Sequence, residues 1–482
     1  MTAANLECKT TKKDQKKFYI FLTSTILLFL FLLPPAPDGL SEGGRRSLLL
    51  ILYAIALWAT EAVHPALTAL LLMVLFSLLG VISFAQAVAG LGDTSVWLLL
   101  GVFIISAAMQ ESGFDRRVAL SLLRLARGET RLTILMVIVS TTFFIFLLPT
   151  SSGRAALMTP ICLGMTRAMQ LKPGSNIGKT MLISVSFVSL VGSMGLMTGA
   201  LSMVYAVGLF ESLIGHKWTY LSWLEALLPG AVISGFFMWP LMLKLFPPEV
   251  SHVPGGVQYI NDELKKLGKL SGKEIKIILL VGLMIGLWIL EERINLSVSQ
   301  SCLLVSLATM LPGMDIITWK KAAATVDWGV VMLLGASLSM VQGLTSTQAI
   351  EWLAGNLFSG LTGMNPTFLA ITLLLALTII RLGFPNLLSM VATTLPVVFT
   401  MALSAGINPV WLGLISISGT VLGLFLPTQS ITHLTTYTAG LYTVKDMLRA
   451  GFFTTLLVMS VTLFLAHFYW PMIGIPPIIP YK

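Results

Sequence analysis

Long apolar blocks separated by short polar loops run along most of the chain. A bilayer core about 30 Å thick is spanned by a helix of about 20 apolar residues, so this pattern predicts a series of transmembrane helices. The blocks occupy approximately residues 19–34, 47–62, 66–90, 94–112, 131–150, 153–171, 180–211, 221–244, 277–291, 297–312, 328–345, 367–385, 388–405, 408–440 and 451–472.

Two pairs of blocks are interrupted without a solvated loop between their members. Residues 131–171 are interrupted at Pro149–Gly153, and residues 367–405 are interrupted at Gly383–Asn386. Irregular backbone at membrane depth is tolerated only where it is buried in protein or lines a cavity. We therefore expect each pair to form a re-entrant hairpin whose tip stops inside the membrane.

Two further blocks are too long for one simple span and contain internal breaks. Residues 180–211 carry three glycines, at Gly192, Gly195 and Gly199, and residues 408–440 carry Pro427–Ser430. These segments predict discontinuous helices, whose broken ends leave backbone N–H and C=O groups unpaired near the membrane midplane.

Composition and charge indicate a membrane protein and exclude a soluble one. Of the 482 residues, 56% are hydrophobic and 11% are charged, whereas soluble domains have about 25% charged residues. The net charge of +9 comes from basic residues in short loops, which is typical of membrane topology and not of nucleic-acid binding. With the lysine-rich N-terminus in the cytoplasm, the loops predict about 11 transmembrane helices, two hairpins and an external C-terminus. We expect a multi-pass all-α protein of the cytoplasmic membrane, partnered by the lipid bilayer.

The two halves of the chain repeat the same order of features. Leu57–Glu61 is similar to Leu287–Glu291, and the break at Thr150 followed by Pro160 recurs as Asn386 followed by Pro396. The first half begins outside and the second inside, so the halves form an inverted repeat, which is typical of secondary transporters. The predicted organisation is an N-terminus with the first transmembrane helix (1–43), a first repeat (44–250) with hairpin 131–171, a basic cytoplasmic linker (251–276) and a second repeat (277–482) with hairpin 367–405.

Small polar residues cluster at the breaks. Half-helix N-termini direct their positive dipole ends at an anion, and freed carbonyls can hold a cation. Hydroxyl and amide side chains at the same positions would add hydrogen-bonding groups, so we expect a site for a small anion. The candidate substrate ligands are Thr150, Ser151, Ser152, Ser202, Asn386, Ser389, Ser430 and Thr432.

Fixed charges near the breaks are few. Arg154 lies directly after the first break, and Arg381 is the only fixed charge between Glu351 and Lys445. A charge in a membrane interior is costly and points to function. Arg154 is therefore assigned to the substrate site, whereas Arg381 either adds charge there or has a structural role. His433, after the last break, is a further candidate.

Motifs of catalysis are absent from the sequence. There is no Gly-x-Ser-x-Gly elbow, no His-Glu-x-x-His helix and no phosphate-binding P-loop, the signatures that would indicate hydrolase, metalloprotease or nucleotide chemistry. We expect no enzyme, no metal site beyond sodium, and no cofactor besides Na⁺ or H⁺ as a coupling ion.

Four segments carry a resemblance to a known family. They are Trp58–Leu70, Trp97–Gly113, Asp327–Gly343 and Tyr442–Met447, within a match over roughly residues 45–475. Together with the repeat order, they resemble the divalent anion/sodium symporter family, the carriers of di- and tricarboxylates and sulfate. This resemblance implies two inverted repeats, a homodimeric scaffold and an elevator-like movement of a transport domain that carries both hairpins.

The chain resembles a divergent member of that family. The family has Ser-Asn-Thr at each hairpin tip, where this chain has Thr150-Ser151-Ser152 and Asn386-Leu387-Leu388. The family's Thr-Pro-Pro-Asn loops are replaced by Ala200–Met203 and Ser430–His433. The leucine pair argues against a second sodium site, because sodium needs a shell of several oxygens. Cation sites implied by the resemblance have the following candidates here: Ser151, Ser152, Gly199, Asn386 and Pro427.

These departures lead to a hypothesis in which positive side chains substitute for sodium. Arg154 would lie at the first cation position and His433 at the second, giving an anion exchanger or a carrier coupled to protons through His433. In the other interpretation a degenerate sodium site persists, and Arg154 is a salt-bridge partner. We expect secondary active transport of a small organic anion, a di- or tricarboxylate such as citrate first. Sodium-coupled symport of sulfate or another oxyanion, a channel, and a receptor on the same scaffold are the alternatives.

Overall fold

Helices make up nearly all of the ordered architecture. The computed structural model describes residues 3–478, except residues 61, 149, 173, 253, 350–351, 353–355, 357–362 and 385. One isolated β-bridge joins Glu129 to His252. The helices are α1 (Ala3–Phe31), α2 (Glu42–Thr60), α3 (Pro65–Leu78), α4 (Phe84–Ala89), α5 (Thr94–Ser112), α6 (Phe114–Arg124), α7 (Thr130–Phe143), α8 (Ser151–Ala168), α9 (Asn176–Val191), α10 (Leu201–Ile214), α11 (Tyr220–Leu245), α12 (Pro254–Leu267), α13 (Gly272–Ile289), α14 (Glu291–Ile294), α15 (Val298–Ala308), α16 (Trp319–Thr325), α17 (Trp328–Ser346), α18 (Pro366–Ile380), α19 (Leu387–Ala405), α20 (Pro409–Thr420), α21 (Ile431–Tyr437), α22 (Val444–Phe464) and α23 (Trp470–Met472).

Six of the described helices are long and apolar enough to cross a membrane, which confirms a multi-span helical membrane protein. Several shorter apolar helices accompany them. The number of crossings, the side on which each terminus lies and the domain boundaries stay predictions. The six long helices are Thr94–Ser112, Asn176–Gly195, Tyr220–Leu245, Trp328–Ser346, Leu387–Ala405 and Val444–Met472.

The apolar block at 66–90 is not one helix. Gly80 adopts a left-handed conformation with φ of 67°, which a glycine accepts at no steric cost, and α3 ends just before it. Ser83 then starts α4 with a capping box, in which the Gln86 side chain accepts from the Ser83 N–H and the Gln86 N–H donates back to the Ser83 hydroxyl. Hydropathy alone does not register this turn, because the residues on both sides are apolar.

The two predicted hairpins each consist of a helix, a break and a second helix. Hairpin 1 is α7 and α8, with a break between Phe143 and Ser151. Hairpin 2 is α18 and α19, with a break between Ile380 and Leu387. Pro160 and Pro396 lie inside the second arms, in keeping with the predicted internal repeat.

The two predicted discontinuous helices are also broken in the structure. Broken helix 1 is α9 and α10, separated by a 3₁₀ turn at Gly192–Gly195 and an irregular segment. Broken helix 2 is α20 and α21, separated by an irregular segment and a 3₁₀ turn at Pro427–Gln429.

Each hairpin packs against the broken helix of the other half. α8 contacts α21, and α19 contacts α10, so all four breaks are gathered in one region of the molecule. A second group, α2, α3, α5, α15 and α17, packs together and contacts α10 through α5 and α17. We call these five helices the scaffold group.

The basic linker contains an amphipathic helix, which its description as a linker did not anticipate. α12 contacts both α6 and α8. Its Glu263 pairs with Arg116 of α6 at 2.5 Å, and its Tyr259 fills the space that a Cβ would need at Gly164 of α8. α12 therefore ties hairpin 1 to the polar surface of the protein.

A glycine contact fixes the backbone beside the second break, and it can be tested. At Gly451 of α22, a Cβ would overlap the Leu424 carbonyl oxygen in the irregular part of broken helix 2. We expect Gly451→Ala to lower the free energy of unfolding by about 1–3 kcal/mol, because backbone cannot move aside as a flexible side chain can. The effect is measured as a lower melting temperature of the purified protein in detergent.

Gly282→Ala in α13 is the matched control for Gly451→Ala. No atom lies within 4 Å of the Cβ position at Gly282, and alanine favours a helix over glycine by about 0.5–1 kcal/mol. Equal melting temperatures of the two variants would contradict the close contact at Gly451.

Candidate functional site

Arg154 sits in a cradle of backbone carbonyls at the first pair of breaks. Its Nη1 donates to the carbonyl oxygens of Leu148 (2.6 Å) and Gly199 (3.0 Å), and its Nη2 donates to that of Ser189 (2.7 Å). The three carbonyls belong to the tip of hairpin 1 and to both sides of the break in broken helix 1. The side chain is 0% exposed, so it holds the two breaks together from within.

Arg381 has the corresponding role at the second pair of breaks. Its guanidinium donates through Nη1 to the Phe384 carbonyl in the tip of hairpin 2 and through Nη2 to the Gln429 carbonyl of broken helix 2, the latter at 2.8 Å. It is also 0% exposed. Leu148 and Phe384 lie two residues before Thr150 and Asn386 respectively, so equivalent tip carbonyls bind guanidinium groups in the two halves.

Neither guanidinium has a carboxylate partner among the described residues. The described ion pairs involve other residues, outside the breaks, and the Nε atoms of Arg154 and Arg381 have no hydrogen-bond partner there. Burying an ion without a counter-charge costs several kcal/mol even after relaxation. Two such charges in one region therefore favour an anion as their missing partner.

His433, the candidate for the second cation position, contacts broken helix 2 and α9. Its Nδ1 lies 2.5 Å from the Ser186 hydroxyl of α9 and its Nε2 lies 2.6 Å from the Gly423 carbonyl. A neutral ring satisfies both contacts, with Nε2–H donating to the carbonyl and Nδ1 accepting from the hydroxyl. His433 and Arg381 therefore both contact carbonyls of the break in broken helix 2, those of Gly423 and Gln429 respectively.

The tip of hairpin 1 meets broken helix 2 through hydroxyl groups. The Thr432 hydroxyl donates to the Ser151 hydroxyl at 3.1 Å. Thr150 caps α8 by accepting from the Gly153 N–H at 3.1 Å, and Ser430 caps α21 by accepting from the Thr432 N–H at 3.2 Å. With Ser152, which is half-buried, these residues form a polar half-site at the N-terminus of α8.

The tip of hairpin 2 and α10 form a less polar half-site. Asn386 caps α19 by accepting from the Leu388 N–H at 2.9 Å. The hydroxyls of Ser389 and Ser202 are buried without a partner among the described residues. Their sequence neighbours are leucines: Leu387 and Leu388 precede Ser389, and Leu201 precedes Ser202. This half-site therefore offers few hydrogen-bonding groups and much apolar surface.

Two of the cation candidates, Gly199 and Pro427, have structural roles in the broken helices. Gly199 contributes its carbonyl to Arg154, and Pro427 is buried at the start of the 3₁₀ turn in broken helix 2. Among the residues that the structure describes, no group of at least 3 His, Cys, Asp or Glu side chains could hold a metal ion.

Comparison with known proteins agrees with this architecture. The profile of the sodium:sulfate symporter transmembrane region matches residues 14–475, which is nearly the whole chain. The chain belongs to the sodium:sulfate symporter family. The divalent anion/sodium symporter resemblance seen in the sequence is thereby confirmed, as are secondary transport and the absence of an enzymatic role at the level of the family.

Relatives with assigned names are distant but match over more than nine-tenths of their length. A membrane protein of Cupriavidus necator is 27% identical, with 93% of this chain and 91% of the relative covered. The sodium-dependent dicarboxylate transporter SdcS of Staphylococcus saprophyticus is 25% identical, with 96% and 94% covered.

Solved structures share the fold of this sodium:sulfate symporter family protein. MtrF of Neisseria gonorrhoeae has a TM-score of 0.57 at 14% identity, over 93% of this chain and 94% of that one. The YdaH transporter of Alcanivorax borkumensis has a TM-score of 0.56 at 13% identity, over 96% and 99%. At such identities the likeness concerns the fold alone.

Gln429 is a residue of the site that the sequence did not single out. Its Oε1 accepts from the Phe425 and Leu426 N–H groups at 2.8 and 2.7 Å, and its Nε2 donates to the Arg381 carbonyl at 3.3 Å. The Gln429 side chain therefore fixes the loop of broken helix 2, and the Gln429 backbone carbonyl accepts from Arg381. The sequence signal that could have identified Gln429 is its amide side chain within the Pro427–Ser430 break.

Removing either buried guanidinium should destabilise the protein. We expect Arg154→Gln and Arg381→Gln to lower the free energy of unfolding by about 3 kcal/mol or more, because each buried carbonyl left unpaired costs about 1–3 kcal/mol. Melting temperatures in detergent measure the loss. Arg131→Gln is the control, since the Arg131 side chain is exposed. A wild-type melting temperature for Arg154→Gln would show that its carbonyl contacts carry no stability.

Proposed function

We propose that this protein exchanges small organic dianions across the membrane, dicarboxylates first, by an elevator-like movement of both hairpins. The observation that carries this proposal is the pair of buried guanidinium groups at the breaks, each bound by carbonyls and neither paired with a carboxylate of the described residues. Three features support its parts: the carbonyl contacts, the charge of the site and the chemistry of the two half-sites.

The carbonyl contacts argue against sodium as the coupling ion. Unwound backbone carbonyls are the groups that hold sodium in broken-helix transporters. Here those of Leu148, Ser189 and Gly199 already accept from Arg154, and those of Phe384 and Gln429 accept from Arg381. The residues present therefore do not fit a sodium ion at these carbonyls, and no step of the proposed cycle uses one.

The charge of the site favours exchange over net uptake. Arg154 and Arg381 give the hairpin region two positive charges, which a bound dianion neutralises. An empty region would move through the low-dielectric membrane with both charges uncompensated, at a cost of several kcal/mol per ion. The loaded form therefore moves readily and the empty form does not, so transport in one direction requires a substrate for the return.

The half-sites support a carboxylate with an apolar portion. The N-terminus of α8, with the Ser151 and Ser152 hydroxyls, is suited to one carboxylate, because helix N-termini attract anions. The second half-site has Asn386, Ser202 and Ser389 for another, beside the leucines of the tip. The SdcS proteins are named as dicarboxylate transporters, which favours this class over sulfate.

Proton coupling through His433 receives less support than exchange. Both ring nitrogens already have partners in the neutral form, the Ser186 hydroxyl and the Gly423 carbonyl. A proton on Nδ1 would require the Ser186 hydroxyl to turn and accept. We therefore assign His433 to the packing of broken helix 2 against α9. The proposed carrier is a homodimer, as the family resemblance implies.

Uptake into proteoliposomes tests the proposal. Labelled succinate and citrate are offered to vesicles with and without internal succinate, in sodium and in choline. We expect uptake only with internal dicarboxylate and equally in both salts, because the guanidinium groups supply the positive charge. Parallel vesicles with labelled sulfate test the oxyanion alternative.

The outcomes separate the alternatives clearly. Uptake that stops in choline would restore sodium symport and contradict the exchange proposal. Uptake into vesicles without internal anion would contradict obligatory exchange, and a current without saturable counterflow would indicate a channel. No uptake of any anion would favour a receptor.

A further inference from the structure

A cavity of about 360 Å³ lies between hairpin 2 and the scaffold group. One wall consists of α2 and α17, with Ile55 and Met340, and the other consists of α19 and α10, with Ala392 and Tyr205. Pockets that bind small molecules have volumes of about 300–1,000 Å³, so this cavity can hold a ligand. None of its lining residues belongs to the four breaks.

The lining does not suit an anion as the natural occupant. None of its residues is charged, and the hydroxyl-bearing ones are limited to Tyr205, Ser337, Thr393 and Thr400. The Thr400 hydroxyl already donates to the Pro396 carbonyl at 2.9 Å. The hydroxyls of Ser337 and Thr393 are buried without a partner among the described residues, and they are isolated polar groups in an otherwise mostly apolar lining. An empty cavity would forfeit the dispersion contacts of its walls.

The cavity is open toward the lipid-facing surface. Leu52 and Val397 contribute to its lining, yet they are 61% and 45% exposed. Both lie in helices of a multi-span membrane protein, so we expect this exposed apolar face to meet the hydrocarbon of the bilayer. An apolar cavity with an opening into hydrocarbon fits a single chain of that hydrocarbon.

We propose that this cavity binds one acyl chain of a membrane phospholipid, whose head group stays outside. The chain would contact α19 of hairpin 2 on one side and α2 of the scaffold group on the other. Any movement of hairpin 2 along the scaffold group changes the cavity, so an acyl chain that binds one position better than another shifts the balance between positions. The bilayer would thus regulate the transport movement through this site.

Photolabelling of the full chain tests the proposal. The protein is placed in phosphatidylcholine vesicles doped with phosphatidylcholine that carries a diazirine on one acyl chain, and labelled peptides are identified by mass spectrometry. We expect more label on Leu48–Trp58 and on Ala392–Thr400 than around Leu375 of α18. Leu375 is 51% exposed and lines no part of this cavity, so it reports ordinary contact with lipid.

Two variants fill the cavity from opposite walls. Ile55→Trp and Ala392→Trp should each reduce the excess label to the level around Leu375, and Leu375→Trp is the matched control that should leave it unchanged. Only filling variants that elute from size-exclusion chromatography like the wild type are compared. One such variant is enough for the test. Label at the cavity no denser than around Leu375, or unchanged by the filling variants, would overturn the proposal. Disulfide-linked dimers of Leu52→Cys without cavity label would assign the cavity to a second copy of the chain instead.

Discussion

The arrangement of the breaks depends on two arginine side chains that bind backbone carbonyls inside the protein. Four helix breaks leave carbonyl oxygens without helical partners inside the protein, where each unsatisfied group is costly. Arg154 joins hairpin 1 to broken helix 1, and Arg381 joins hairpin 2 to broken helix 2. The same two contacts that make the irregular backbone tolerable also place two positive charges where an anion would bind.

The proposed cycle couples stability to transport. A sodium ion at a carbonyl site leaves with the substrate, whereas a guanidinium group stays with the chain in every step. In the proposed cycle, the permanent charge makes the loaded state the mobile one and links transport to exchange. The polar half-site at Ser151 and Thr432 and the apolar one at Leu387 and Leu388 would then determine which dianion fits.

Much of this architecture could be predicted from the sequence, and the exceptions have physical reasons. Apolar length and the Pro149–Gly153 and Gly383–Asn386 interruptions predicted the breaks, because few residue patterns interrupt a membrane helix without a polar loop. The side chain that binds each carbonyl of the breaks could not be predicted, because it depends on how the hairpins pack against the broken helices. The sequence offered both His433 and Arg381 as candidates near the second pair of breaks, but it did not show which carbonyls each of them contacts.

Sodium-dependent stability of the purified protein tests the central claim most directly. Melting temperatures are compared in sodium chloride and choline chloride at equal ionic strength, for wild type and for Arg154→Ser. A ligand that binds the native state stabilises it in proportion to RT ln(1 + [L]/Kd). We predict that sodium leaves wild type unchanged and stabilises Arg154→Ser, whose vacated carbonyls can accept the ion. Saturable stabilisation of wild type by sodium would contradict the claim that the guanidinium groups take the place of the cations.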